Sequence, residues 1–243
     1  MNHEERLEIA GRLCRRILDG YGESVLAVFI YGSTAKALDR PYSDLEMACV
    51  LKDGVVAATK HYVYRGLLLG IYYRQESAFF EAARKVTENW PAEASHYRDR
   101  ITLFEREGWT KNLEKAVAQS ETTDIAPAVR DAAVHMTAGL CALRNALLTG
   151  DSRELVLAAR WLARQAAHLV FLINHRYVTI KWWKQVFECP LQPQDFSLLV
   201  ETAAGFAPVN QDEIVKAAER LYARVLEMVE SRGISIESDD LLL

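Results

Sequence analysis

The run Val25-Leu26-Ala27-Val28-Phe29-Ile30-Tyr31 is apolar throughout, rich in β-branched and aromatic residues, and ends at Gly32. An apolar run without alternation is the pattern of a strand covered on both faces. Such a strand needs other elements packed above and below it, which demands a sizeable core. With 243 residues, about half of them hydrophobic, the chain can supply one without disulfide or metal staples.

The flanking sequence fits a sheet with helical layers. Asn2-x-x-Glu5 is a capping-box pattern, and Leu7, Ile9, Ala10, Leu13, Cys14 and Ile17 follow at helical spacing up to Gly20 and Gly22. After Gly32 the pattern predicts a short helix over Ser33–Ala37, a turn at Asp39-Arg40-Pro41-Tyr42-Ser43, and a second strand over Asp44–Leu51. A third strand is expected over Tyr62–Tyr73, with a break at Gly66, then a helix over Glu76–Glu88 ended by Trp90-Pro91. A small strand at Ile101–Phe104 and a helix at Lys111–Gln119 complete this part. The character changes near Ser120–Pro127. Pro127 suits a helix first turn and Gly150 its end, Asp151-x-x-Glu154 opens another helix, and Asn210-x-x-Glu213 is a second capping box closed by Gly233. The expected fold class is α+β: an N-terminal domain with a mixed sheet over residues 1–120, then an all-helical domain over 121–243.

Composition narrows the classes. A net charge of −4 does not favour a dedicated nucleic-acid binder, which is usually basic. The N-terminus shows no charged-then-apolar leader, and no apolar run approaches the roughly 20 residues that span a bilayer, so the chain reads as cytoplasmic with no membrane partner. Cys14, Cys49, Cys141 and Cys189 have no paired spacing and read as reduced thiols; the histidines show no zinc-type pairing.

Two short patterns carry chemistry. Gly32-Ser33 lies where a buried strand gives way to a helix, a place that is either a plain turn or a phosphate cradle made of glycine backbone and helix-start amides. Asp44 and Glu46 lie two apart at the start of the next strand, so both side chains share one face. Adjacent carboxylates repel unless a cation lies between them, and hard oxygen ligands suit Mg2+; the alternative is a solvated strand end. Lys36 is close enough in sequence to meet a phosphate, or is an exposed helix lysine. Trp182-Trp183, between Lys181 and Lys184, reads either as a stacking platform or as packing, and Glu237-Ser238-Asp239-Asp240 as a solvated acidic end.

Taken together, Gly32-Ser33, ten intervening residues and Asp44-x-Glu46 resemble the signature of the polymerase-β-like nucleotidyltransferase superfamily. The longer strings Tyr31-Gly32-Ser33-Thr34-Ala35-Lys36 and Pro41-Tyr42-Ser43-Asp44-Leu45-Glu46-Met47 resemble more narrowly the aminoglycoside 4′-nucleotidyltransferases, the kanamycin nucleotidyltransferase family. Ile17-Leu18-Asp19-x-Tyr21-Gly22, Asn89-Trp90-Pro91 and His175-Arg176 fit that family's order. The resemblance implies an antibiotic-resistance enzyme. It would transfer a nucleoside monophosphate from a Mg2+-bound nucleoside triphosphate, commonly ATP, to a hydroxyl of a cationic small-molecule acceptor, an aminoglycoside, and release pyrophosphate. Gly32, Ser33 and Lys36 would then bind nucleotide, Asp44 and Glu46 would hold the metal, and the chain would be a homodimer. The acceptor could instead be another hydroxylated compound such as a lincosamide, or the domain could keep the fold without turnover.

Two departures bear on that choice. A third carboxylate expected on the third strand falls at Gly70, with Glu76 the first candidate to replace it. A general-base glutamate expected on the first helix of the C-terminal domain falls near Ala138, where the nearest ionisable groups are Asp131 and His135. His135 is the candidate base, with an ordinary half-buried histidine as the alternative.

Overall fold

The computed structural model describes residues 1–179 and 182–237. The chain forms two compact units, Met1–Lys85 with Ala92–Thr123, and Val86–Pro91 with the chain from Asp124 onward. The fold class is α+β, with a mixed sheet in the first unit.

The first unit begins with α1 (His3–Tyr21), whose capping box at Asn2 and Glu5 is formed as the sequence predicts. The elements after it in chain order are β1 (Val25–Tyr31), α2 (Gly32–Ala35), β2 (Leu45–Leu51), β3 (Lys60–Tyr64), β4 (Leu67–Gln75), α3 (Glu76–Arg84), α4 (Trp90–Arg98, its first two residues counted with the second unit), β5 (Ile101–Glu105) and α5 (Trp109–Glu121). The sheet order is β3-β4-β2-β1-β5. β2 and β4 run parallel; the other neighbours are antiparallel. The apolar run of β1 is buried on both faces. Val28 and Ile30, with Leu45, Met47 and Cys49 of β2, pack toward Ile9, Cys14 and Ile17 of α1. Ala27, Phe29 and Tyr31, with Ala48 and Val50, pack toward Phe79, Trp109 and Leu113. Phe29 and Trp109 stack with centroids 6.2 Å apart.

Three expectations need correction. The single third strand is a hairpin, β3 and β4, turned by Arg65 and Gly66, both at positive φ. The break expected at Gly66 is a full reversal of the chain, which the left-handed pair at the tip makes possible. Trp90-Pro91 does not end the preceding helix, which stops at Arg84; it opens α4, with proline in the first turn where its missing N–H costs nothing. Asp44 lies just before β2, and α2 begins at Gly32 and ends at Ala35.

The loop between α2 and β2 is held by Arg6, whose side chain is 1% exposed. Its guanidinium donates to the carbonyls of Met1 (3.0 Å), Arg40 (2.7 Å), Pro41 (3.1 Å) and Ser43 (2.9 Å), and to Asp39 Oδ2 (2.9 Å). Asp39 also meets His3 Nδ1 at 2.7 Å. Burial alone would raise the Asp39 carboxyl, but the hydrogen bonds from His3 and the backbone, with the charges of His3 and Arg6, outweigh it and hold it below the usual range.

The second unit contains α6 (Ala126–Thr149), α7 (Ser152–Ile173), α8 (Trp182–Val186), α9 (Phe196–Ala203) and α10 (Gln211–Glu230). Gly150, at φ 69°, ends α6, and Asp151 caps α7 by accepting from the amides of Arg153 and Glu154. Gly139 lets α7 approach closely, since a Cβ there would lie 2.7 Å from the Trp161 ring. α7 is long and apolar enough to cross a membrane by composition, and 56% of its apolar window is buried in the protein, where it packs on α6, α9 and α10. Trp182 and Trp183 stack on each other at 3.9 Å, and Trp183 packs edge-on against Phe206 at 5.0 Å. Lys181 and, of the acidic end, Ser238-Asp239-Asp240 lie outside the described residues.

Replacing Arg6 with Ala strands Asp39 and several carbonyls away from water. Loss of one partner from a buried ion pair costs about 3–5 kcal/mol, so a urea titration of Arg6→Ala should show a midpoint well below wild type. Because Asp39 is held below its ordinary pKa, the stabilisation it contributes is present above the unfolded pKa of an aspartate and is lost as pH falls through the native one. The gap between the two proteins should narrow in acid.

Candidate active site

Antiparallel pairing of β1 with β2 places Tyr31 opposite Glu46, so the end of one strand and the start of the next deliver Gly32-Ser33 and Asp44-x-Glu46 to the same corner of the sheet. Gly32 has φ 72°, and a Cβ built on it would lie 2.6 Å from Glu46 Oε2. Backbone conformation and space therefore both require glycine there. The α2 turn that follows carries Ser33 and buries Thr34.

Glu46 is a strained carboxylate. Burial, then repulsion from Asp44, push its pKa up to about 7, against a smaller opposing pull from Lys36. Lys36 is not an exposed helix lysine: its side chain is 9% exposed and its Nζ lies 3.3 Å from Asp99 Oδ2. Its charge acts on both Glu46 and His96. Burial, with the charges of Lys36 and Arg74, lowers the His96 pKa to about 4, so this ring is neutral at pH 7. It packs against Tyr31 with centroids 4.5 Å apart.

Sequence reasoning missed the polar row beside Glu46. Register pairs Glu46 with Gly70 across β2 and β4, and Gly70 with His61 across β4 and β3. Gly70 does share the carboxylate face, as its register position predicts. The place is not open, however. A Cβ on Gly70 would meet Tyr72 at 3.0 Å and the His61 ring at 3.4 Å. His61 Nε2 and the Tyr72 hydroxyl hydrogen-bond at 3.0 Å, and Tyr72 interacts in turn with Tyr31, whose hydroxyl burial and Glu46 drive upward. An imidazole and a phenol fill the space beside Gly70. Alternation along β3 could have flagged His61 had the hairpin been seen.

Glu76 cannot substitute for an acid at Gly70. It follows Gln75, which pairs with Leu51 at the far end of β2 from Glu46. Asp53 is engaged as well, accepting from the amide and hydroxyl of Ser77. Among the described residues no cluster of three or more His, Cys, Asp or Glu side chains is placed to hold a metal. Two carboxylates remain, one with its charge opposed by burial and by its neighbour. That donor set fits a hard divalent cation bound through one or two carboxylates, with phosphate and water completing the shell.

The remaining expected residues lie in the second unit. His135, exposed on α6, pairs through Nδ1 with Glu88 Oε2, and His168 Nε2 bonds the Glu88 carbonyl. His175 packs on Trp90 at 4.7 Å, and the amide of Val178 donates to the Pro91 carbonyl at 2.7 Å, so Asn89-Trp90-Pro91 and His175-Arg176 meet as a structural joint. All four cysteines are free, and burial pushes the Cys49 thiol up to about 12.

Residues 107–235, more than half of the chain, match the KNTase C-terminal domain family. The chain belongs to this family. It is similar to an aminoglycoside nucleotidyltransferase (4′) of Staphylococcus aureus, 26% identical over 98% of this chain and 95% of that one. It is also 27% identical to an aminoglycoside nucleotidyltransferase (4′) of a Bacillus species, over 51% of this chain and 48% of the relative. A crystal structure of a nucleotidyltransferase-like protein from Exiguobacterium sibiricum has the same fold, with TM-score 0.60 and 15% identity over 93% of this chain and 76% of that one. Membership makes the chain a nucleotidyltransferase.

Two outcomes follow from this geometry. Because the Glu46 pKa is raised in the native state, the native protein holds a proton that the unfolded chain has lost, and stability falls as pH rises from about 4.5 to about 7. Glu46→Gln should remove that slope and stabilise the ligand-free protein at pH 8 by on the order of 1 kcal/mol, read as a higher melting temperature, the figure kept small because the group is only partly buried. A steeper slope in the variant would contradict the assignment. Gly70→Ala should destabilise by ~1 kcal/mol through contact with Tyr72, read as a lower urea midpoint.

Proposed function

We propose that the chain transfers a nucleoside monophosphate from a nucleoside triphosphate, ATP being the first candidate, to a hydroxyl of an aminoglycoside, with release of pyrophosphate. The observation that carries this reading is the strained carboxylate: Glu46 lies close over the Gly32 backbone and is repelled by Asp44, with Lys36 within electrostatic reach. A site that holds unneutralised acids beside a cationic side chain suits a ligand carrying both signs, and a metal-bound triphosphate is such a ligand. The names of the two curated relatives supply the acceptor class.

In this reading Asp44 and Glu46 hold Mg2+, which would supply charge neutralisation for the pyrophosphate leaving group. Gly32 brings backbone amides close to the triphosphate, Ser33 offers a hydroxyl, and Lys36, pre-positioned by Asp99, neutralises phosphate charge. His135 is the candidate base for the attacking hydroxyl. Its Nδ1 is engaged by Glu88, which orients the ring and leaves Nε2 to accept a proton. A homodimer in the cytoplasm is part of the same proposal. Retention of the fold without turnover is a second reading, favoured by the His61 and Tyr72 side chains that crowd the Gly70 position.

Purified protein incubated with Mg2+, ATP and an aminoglycoside panel should yield an acceptor heavier by one nucleotidyl group in mass spectra. Asp44→Asn should abolish the product and leave the melting temperature near wild type. Ser33→Ala should raise KM for ATP more than for acceptor. His135→Ala should lower kcat about 10²–10⁴-fold. No adduct with any aminoglycoside or lincosamide, together with intact ATP binding, would favour the second reading.

A further inference from the structure

On the face of the sheet opposite Glu46, a cleft of about 430 Å3 opens between α1 and the β3–β4 hairpin. That volume lies within the range of small-molecule sites. One wall is α1, which presents Arg12, Arg16 and Asp19 above the apolar side chains of Ile9 and Leu13. The other wall is Tyr62 and Tyr64 on β3, and Leu69 of β4 also lines the cleft. Tyr62 pairs with Leu69 in the β3–β4 register, which places both on the α1 side of the sheet.

The charge of the cleft is lopsided. Arg12, Arg15 and Arg16 all line it, against Asp19 alone. None of these arginines has an acid partner among the described residues, whereas Arg6, six residues before Arg12 on the same helix, pairs with Asp39 and with loop carbonyls. Arg16 is close enough to Tyr62 for its charge to oppose the upward push of burial on that hydroxyl. A guanidinium presents a planar fork of donors matched to carboxylate and phosphate oxygens. Tyrosine rings and a leucine offer flat apolar surface to the rest of a ligand.

We propose that this cleft binds a small anion built on a planar ring, with Arg12 and Arg16 on its carboxylate or phosphate and Tyr62 and Tyr64 on its ring. The site is separate from the carboxylates, because Leu69 and Tyr62 face α1 while Glu46 and Gly70 face the other way. It does not rest on the assignment of the transfer reaction.

The test is a fluorescence titration of the full chain with 8-anilinonaphthalene-1-sulfonate, a monoanion built on a planar naphthalene ring. Saturable enhancement is expected in wild type and in Asp44→Asn, and at least tenfold weaker apparent affinity in the Arg12→Ser/Arg16→Ser double variant and in Tyr62→Ser. Both arginines are exposed, so the double variant should fold, and circular dichroism verifies it. Arg16→Glu is a second variant with the same expected direction. Displacement by AMP identifies a ring-borne phosphate, and displacement by benzoate a ring-borne carboxylate. Three results overturn the proposal: binding that the arginine substitutions leave unchanged, binding that Asp44→Asn abolishes, or displacement by inorganic phosphate as effective as by AMP and benzoate.

Discussion

Three of the carbonyls that the Arg6 guanidinium holds belong to Arg40, Pro41 and Ser43, the residues that lead directly into Asp44. A guanidinium removed from water needs partners inside the protein, and here its two terminal nitrogens find them by gathering a loop that is neither helix nor strand. Asp39 supplies the counter-charge, and His3 braces Asp39 from α1. The first turn of α1 is thereby coupled to the entry of β2, and the entry of β2 sets where the two carboxylates stand.

Downstream of that anchor, the corner of the sheet is assembled against local electrostatic preference. Glu46 would be more comfortable protonated, yet chain geometry keeps Asp44 beside it and Gly32 beneath it. Such strain persists where surrounding packing over-determines it. The strands under this corner supply that packing, with Leu45 and Met47 buried on the α1 side and Tyr31 on the other. His96 is neutral and Lys36 charged within the same environment, so the corner contains both a cation and acids that lack one.

Much of this was legible because it is local. The unbroken apolar run of β1 predicts a buried strand, Gly32-Ser33 marks its end, and alternation places Asp44 and Glu46 on one face. Both capping boxes form at Asn2 and Asn210 for the same reason. What stayed hidden depends on partners distant in sequence, or on a backbone choice that composition does not reveal. Arg6 looks like one more helix arginine until the loop it binds is in place. The reversal at Arg65-Gly66 turns an apparent strand into a hairpin and brings His61 to Gly70, which no one-dimensional spacing shows. Trp90-Pro91, expected to end a helix, opens one instead, because proline in a first turn gives up no helical hydrogen bond.

The topology also orders events in time. Tyr31 and Glu46 pair across one short connection, while β1 reaches β5 only after the β3–β4 hairpin, α3 and α4 have been threaded. Loop-closure entropy rises with the length of chain enclosed, so short connections close first. A ribosome releasing this chain exposes the acid corner complete with its anchoring arginine well before the last sheet edge emerges. The nascent chain would therefore hold two repelling carboxylates side by side while the outer strand that shields β1 is still unmade.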